Sequence, residues 1–510
     1  MGAKFKIPLT LLVGVLAAGG ARADDPTGAV TIRWVRPDVQ LERAIALFQG
    51  TRAANPAAAL AAWRFATQDV RGLGKPLEAL ISLFNPEMVR EFKSLDQAKV
   101  GIGIDSETGN IRWYAVAPND DGNLAALVTA LILTDGGDSA PFDGIGVDRL
   151  GPEGSALVAR VPGVLTLAGS RADLPEAIRQ AGADIVGHPE VDSGMLIRLD
   201  PRRLVAKGSI TQRRVVEALR GLGVDVSEGL LTVKGDTLTL NLDSQLEWDP
   251  PQGKGLDPAW LEWLPTEKAQ AVFAMEVEPD AESLASAFAW ADRIERADPA
   301  RAQVAPLRVR LNLLAATASV RPEVDLWPKL RGVSGYVRTE VEGNASGGIL
   351  ALHLVDEVSA GRLATQFLPK VMSRLDRGHP KEGAALGSLP SDARWLGNVS
   401  GKPVSVLRQG ATVLVGWGDG LLAASLEAKA HPGRSAASIL KAPTDATSPR
   451  RAFAFWPGEL GPSKLADAPP IRWWGWDDKK STHDLVLWEG LHGMIARYLD
   501  RLPLQPPADH

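Results

Sequence analysis

The chain of 510 residues contains no cysteine. That absence removes disulfides, thiolate zinc sites, iron–sulfur clusters and thiol nucleophiles together. It also excludes a lipid-anchored lipoprotein, whose modification needs a cysteine at the cleavage site. Basic charge is short as well: 56 Lys and Arg stand against 61 Asp and Glu, a formal charge of −5, with no footprint for nucleic acid. Past the N-terminal segment, no apolar run reaches the roughly 20 residues that span a bilayer. Familiar catalytic signatures are missing too, among them the G-x-S-x-G elbow and H-E-x-x-H. GIGVDRLG carries glycines at 144, 146 and 151, the last two residues too far for a dinucleotide loop. Lys75 in GLGKP has no Ser or Thr behind it to hold magnesium. Ser438 and Lys441 match S-x-x-K, but the S-D-N and K-T-G partners of that set are absent. The seven histidines are scattered, and His483 and His492, nine apart, lack metal-ligand spacing. The expectation is no metal, no cofactor, and binding or scaffolding, with carriage of an apolar or glycan ligand, or hydrolysis without a familiar motif, as alternatives.

What is present begins at the N-terminus. Lys4 and Lys6 precede the apolar run IPLTLLVGVLAAGG, and Ala21-Arg22-Ala23 places small residues where a signal peptidase reads, just before Asp24. Residues 1–23 therefore read as a cleaved secretory signal, which predicts a periplasmic or extracellular protein with no membrane span after cleavage. Loss of Lys4, Lys6 and Arg22 takes the formal charge from −5 to −8. The length calls for about two or three domains.

Their arrangement is written as a repeat. AVTIRWVRPD (29–38) returns as AVFAMEVEPD (271–280), with five of ten positions identical. Each predicts a strand ended by proline, with Arg36 held extended before Pro37 and Asp38 as a helix N-cap. Leu41, Ile45 and Phe48 then share one helix face, as Leu284, Phe288 and Ile294 do later. The order of later elements repeats too. A hairpin, KVGIGID with NIRWYAVA, is followed by the helix GNLAALVTALIL; VSGYVRTEVE with GILALHLVD is followed by EVSAGRLATQFLPKVMSRL. Three short strands, a helix and a strand close each half, with Gly163 and Gly169 spaced as Gly410 and Gly416 are. Two or three further helices are expected over 64–95. The predicted fold is α+β, a tandem duplication of a domain with a mainly antiparallel sheet covered by helices. Its parts are a first copy at 24–250, a Gly- and Pro-rich linker at 251–268, a second copy at 269–460 and an extension at 461–510.

Tryptophan is over-used, 15 against 3 tyrosines, and is densest in IRWWGWDDKKSTHD (471–484). The candidate ligand-binding residues are Trp473, Trp474, Trp476, Asp477, Asp478 and His483. Their rings either stack on a sugar, an apolar ligand or an envelope partner, or they fill the space between the copies.

In its layout the chain resembles a set of uncharacterised exported bacterial proteins classed as domain of unknown function 3352. VRPDVQLERAI and GVLTLAGSRADLPEAI carry the resemblance over two-thirds of the mature chain, and the second copy departs from it with GATVLVGWGDGLLAASL. The resemblance bears on architecture and brings no active site.

Overall fold

A computed structural model describes residues 30–51, 97–104, 111–119, 138–150, 156–182, 192–201, 224–246, 253–277, 281–296, 322–339, 346–375, 392–399, 401–443, 448–456, 469–478 and 481–501, with single residues between. The signal segment, the helices expected over 64–95 and the helix GNLAALVTALIL lie outside these. The chain mixes helix and strand and divides into two compact units. One covers Leu246–Leu487; the other ends at Gln245 and resumes at Trp488.

In this resumed unit, Val30–Val35 forms β1 and Pro37–Ala46 forms α1. The junction differs from expectation. Arg36 is left-handed (φ 48°, ψ 61°) rather than extended, and its side chain makes no capping bond. Proline at the first helical position lacks an N–H, so this end carries one orphan donor fewer. Asp38 instead sits inside the first turn, where the helix dipole favours a negative charge, and takes Nε and Nη2 of Arg36 at 3.1 Å each. Leu41 and Leu47 bury, whereas Ile45 and Phe48 are half-buried.

The remaining strands are β2 (Gln97–Ile104), β3 (Ile111–Pro118), β4 (Asp138–Phe142), β5 (Ile145–Leu150), β6 (Ala156–Val161), β7 (Val164–Ala168), β8 (Gly194–Leu199), β9 (Val224–Lys234) and β10 (Thr237–Leu246). Helix α2 (Leu174–Ala181) follows β7. The sheet order is β4-β5-β6-β7-β3-β2-β1-β8-β9-β10, antiparallel from β4 through β9. Leu174, Ala177 and Ala181 of α2 pack on Tyr114, Val116, Leu157 and Ala168. The spacing of three and four is what one buried helix face requires. Asp173, fully buried before α2, accepts from Arg112 of β3 and from Ser170, which ties the helix to the sheet.

The Leu246–Leu487 unit has β11 (Ala269–Glu276), α3 (Ala281–Arg296), β12 (Leu330–Thr339), β13 (Ser346–Leu354), β14 (Arg394–Val399), β15 (Lys402–Gln409), β16 (Thr412–Trp417), α4 (Leu421–Ala430), β17 (Arg451–Phe455), β18 (Ile471–Asp478) and β19 (Ser481–Glu489). Its order is β14-β15-β16-β13-β12-β11-β17-β18-β19, antiparallel throughout. Strand for strand this is the order β5-β6-β7-β3-β2-β1-β8-β9-β10.

Two boundaries move. The stretch read as a linker supplies core: Asp257 caps a 3₁₀ turn at Pro258–Trp263 by accepting from the Ala259 N–H at 3.0 Å, and Leu261 and Leu264 are buried. The stretch read as an extension supplies β18 and β19, paired in register onto β17. Apolar residues in both segments complete the core that the strands alone leave open.

Candidate functional site

The six residues singled out in the sequence do not form one surface. Side chains alternate along β18, so Trp473 and Asp477 point to one face and Trp474, Trp476 and Asp478 to the other. Trp474 is fully buried and donates its Nε1–H to the Leu440 carbonyl at 3.1 Å. Trp476 stacks on His483, its partner across the sheet, with ring centres 5.8 Å apart. Asp478 is exposed at the strand tip.

Trp473 and Asp477 belong to an ionic chain. Asp477 accepts from Arg451 Nη2 at 2.8 Å and Arg450 Nη1 at 3.3 Å, and Arg450 Nε donates to Glu276 at 2.8 Å. Trp473 Nε1 donates to Asp484 at 3.0 Å. Burial pushes the Asp484 carboxyl up to about 6, and neighbouring Asp477 adds to the rise while Arg451, the Trp473 N–H and His483 oppose it. Every charged group here faces an opposite partner, the arrangement of a structural network.

A second polar cluster has catalytic residue types in a sealed place. Ser334 Oγ lies 2.9 Å from His353 Nε2, and His353 Nδ1 lies 3.1 Å from Thr412 Oγ1. Both Ser334 and His353 are buried, and Trp260 stacks flat on the imidazole at 4.9 Å. Burial first, and Lys429 second, push His353 down to about 3, so it is neutral at physiological pH. Ser438 likewise spends its hydroxyl on the Ser435 carbonyl at 2.7 Å. Among the described residues no group of three His, Asp or Glu is placed to hold a metal ion. No described helix is long and apolar enough to cross a membrane.

The open site lies in the other unit. A cavity of about 440 Å³ sits on the α2 side of its sheet. Alternation sends Thr31 and Arg33 of β1 to this face. In register beside them stand Gly101 and Lys99 of β2, and Arg198 and Leu196 of β8. The Tyr114 ring lies across Gly101, where a Cβ would sit 2.1 Å from it, so glycine is what lets the aromatic lie on the floor. One wall is the polar side of α2, with Glu176, Arg179 and Gln180. Arg179 Nε donates to Glu176 at 2.7 Å, Gln180 Nε2 donates to Glu176 at 2.6 Å, and Lys99 donates to Gln180. Glu228 and Gly229 of β9 and Asp200 complete the lining, with Arg198 3.6 Å from Glu228.

The same place in the Leu246–Leu487 unit is found from strand register. The row Thr31–Gly101–Tyr114–Ala168 has its match in Val272–Tyr336–Ile349–Gly416, each ending on the fifth residue of its last strand. Arg33 then corresponds to Ala274, Lys99 to Ser334, Leu196 to Ala452 and Arg198 to Ala454. All four counterparts are buried, under Leu261, Leu264, Leu440 and Trp474. One sheet position is charged and open; its counterpart is apolar and filled.

No family model matches the chain, and no curated protein matches it. Solved structures of TP0453 do. Its crystal form IV is 8% identical over 45% of this chain and 79% of that one, with a TM-score of 0.24. Crystal form I is 8% identical over 49% and 82%, with a TM-score of 0.25. Likeness at this level carries no argument about fold or function.

Proposed function

We propose that the chain is an exported binding protein of the cell envelope, built from two tandem copies of one α+β domain. The first copy holds a small ligand in its cavity, and the second is filled at the matching sheet position. The shared strand order supports the duplication. The observation that carries the binding role is the contrast at one sheet position, Thr31, Arg33, Lys99 and Arg198 against Val272, Ala274, Ser334 and Ala454. Duplication relieves one copy of a function while the other keeps it, and a binding surface that is no longer used is free to become core.

Binding rather than catalysis fits the state of Glu176 in the cavity. Glu176 is locked by Arg179 and Gln180; burial raises its pKa, but these donors and the nearby charges of Arg179 and Lys99 hold it below the ordinary value. A general acid or base works best when its pKa lies near the working pH, and this carboxylate is moved the other way.

Two measurements test the reading. The mass of protein recovered after export is expected to correspond to a chain starting at Asp24, and a mass retaining residues 1–23 removes the export claim. Ligand-observed NMR against a mixture of small acids, amines and sugars is expected to give hits on the full chain. Those hits vanish in Thr31→Trp, which fills the cavity while far-UV spectrum and melting temperature stay put. Hits that survive that substitution place binding elsewhere.

A further inference from the structure

We infer that the cavity takes an anion: a small molecule that presents a carboxylate or phosphate group to Arg33 and Lys99. This rests on the cavity being the binding site and goes on to name the chemistry of its ligand.

Arg33 and Lys99 stand directly opposite each other on antiparallel β1 and β2, on the face that forms the floor. Arg198 stands next to them, opposite Thr31 on β8. The pairing brings two cationic side chains to one spot on the floor. Among the described residues the lining holds four basic side chains, Arg33, Lys99, Arg179 and Arg198, against three acidic ones, Glu176, Asp200 and Glu228. The acids are also placed differently. Glu176 is on the helical wall in contact with Arg179, Glu228 faces Arg198 from β9, and Asp200 lies past the end of β8. Positive charge is therefore concentrated on the floor.

Glu176 responds to its immediate neighbours Arg179, Gln180 and Lys99. Burial alone raises a carboxyl pKa, yet the surrounding donors and charges hold this one below its ordinary value. A site that stabilises its own carboxylate in ionised form favours a ligand's anionic group in the same space. Guanidinium and ammonium donors give short, charge-assisted hydrogen bonds to such groups. A volume of about 440 Å³ suits a molecule larger than a bare ion.

The test uses four probes of one size: benzoate, phenyl phosphate, benzylamine and benzyl alcohol, each titrated into the full chain by NMR. Benzoate or phenyl phosphate is expected to bind, and the ratio between them shows whether the group is a carboxylate or a phosphate. Arg33→Met and Lys99→Met each weaken that binding about tenfold or more, while Arg33→Lys, which keeps the charge and guards against a folding defect, retains it within a few-fold. Benzylamine or benzyl alcohol binding in place of the anions, and lost in Thr31→Trp, overturns the anion and leaves the cavity standing. Anion binding that ignores both Met variants also overturns it. If no probe responds to Thr31→Trp, the cavity itself fails with it.

Discussion

Trp474→Ala lowers the unfolding free energy of the Leu246–Leu487 unit by about 3–5 kcal/mol. The indole is fully buried, faces Ala452 across the sheet, and shares one core cluster with Leu264, Ala274, Ala454 and Leu440. Those alanines make the room that the large ring fills, so truncation leaves a void that its small neighbours cannot close. It also strips the Leu440 carbonyl of its Nε1–H donor and removes the ring under the Arg472 guanidinium, 5.5 Å from its centre. Trp473 and Trp476 are half-buried, and their replacement costs less. Urea unfolding followed by circular dichroism ranks the three variants. Equal and small losses at all three positions contradict the packing role and return the cluster to candidacy as a binding surface.

Acid is expected to weaken the same unit through His353. The unfolded chain protonates this imidazole near its ordinary 6.5, and the folded chain only near 3. Between those values the unfolded state holds the extra proton. Stability from this group is therefore complete above pH 6.5 and is lost as pH falls toward 3, by about 5 kcal/mol in all. Asp484 acts in the opposite sense: raised to about 6 from 3.8, it binds its proton more readily in the folded state and adds stability as pH falls through that window. His353→Gln keeps a donor and an acceptor between Ser334 and Thr412 and separates the two contributions. Urea midpoints measured from pH 7 to pH 4 fall less steeply in this variant than in the parent chain. Parallel profiles rule out His353 as the source.

Much of the layout was legible because strand order is written in alternation and turn residues, and the same strand order is found in both units. The letters misled at finer scale. AVTIRWVRPD aligned with AVFAMEVEPD pairs Val30 with Val272, but sheet register matches Thr31 to Val272. A slip of one residue turns a side chain to the other face, so the echo equates residues pointing opposite ways. The cavity was missed for the same reason: Arg33 lies inside the quoted repeat, and only the correct register exposes its replacement by a buried alanine. Tryptophan density drew attention to β18, but composition does not tell a buried indole from a presented one. That distinction depends on Leu261, Leu264 and Leu440, whose segments arrive from outside the repeated strands.

The central claim is that one unit binds and the other is filled. Hydrogen–deuterium exchange on the full chain, with and without saturating benzoate, phenyl phosphate, benzylamine or benzyl alcohol, tests it most directly. The expected result is slowed exchange at 30–35, 97–104, 174–181 and 194–199 with a bound probe, and no change at 269–276, 330–339, 421–430 and 451–455. Protection confined to the second set, or shared equally by both, contradicts it.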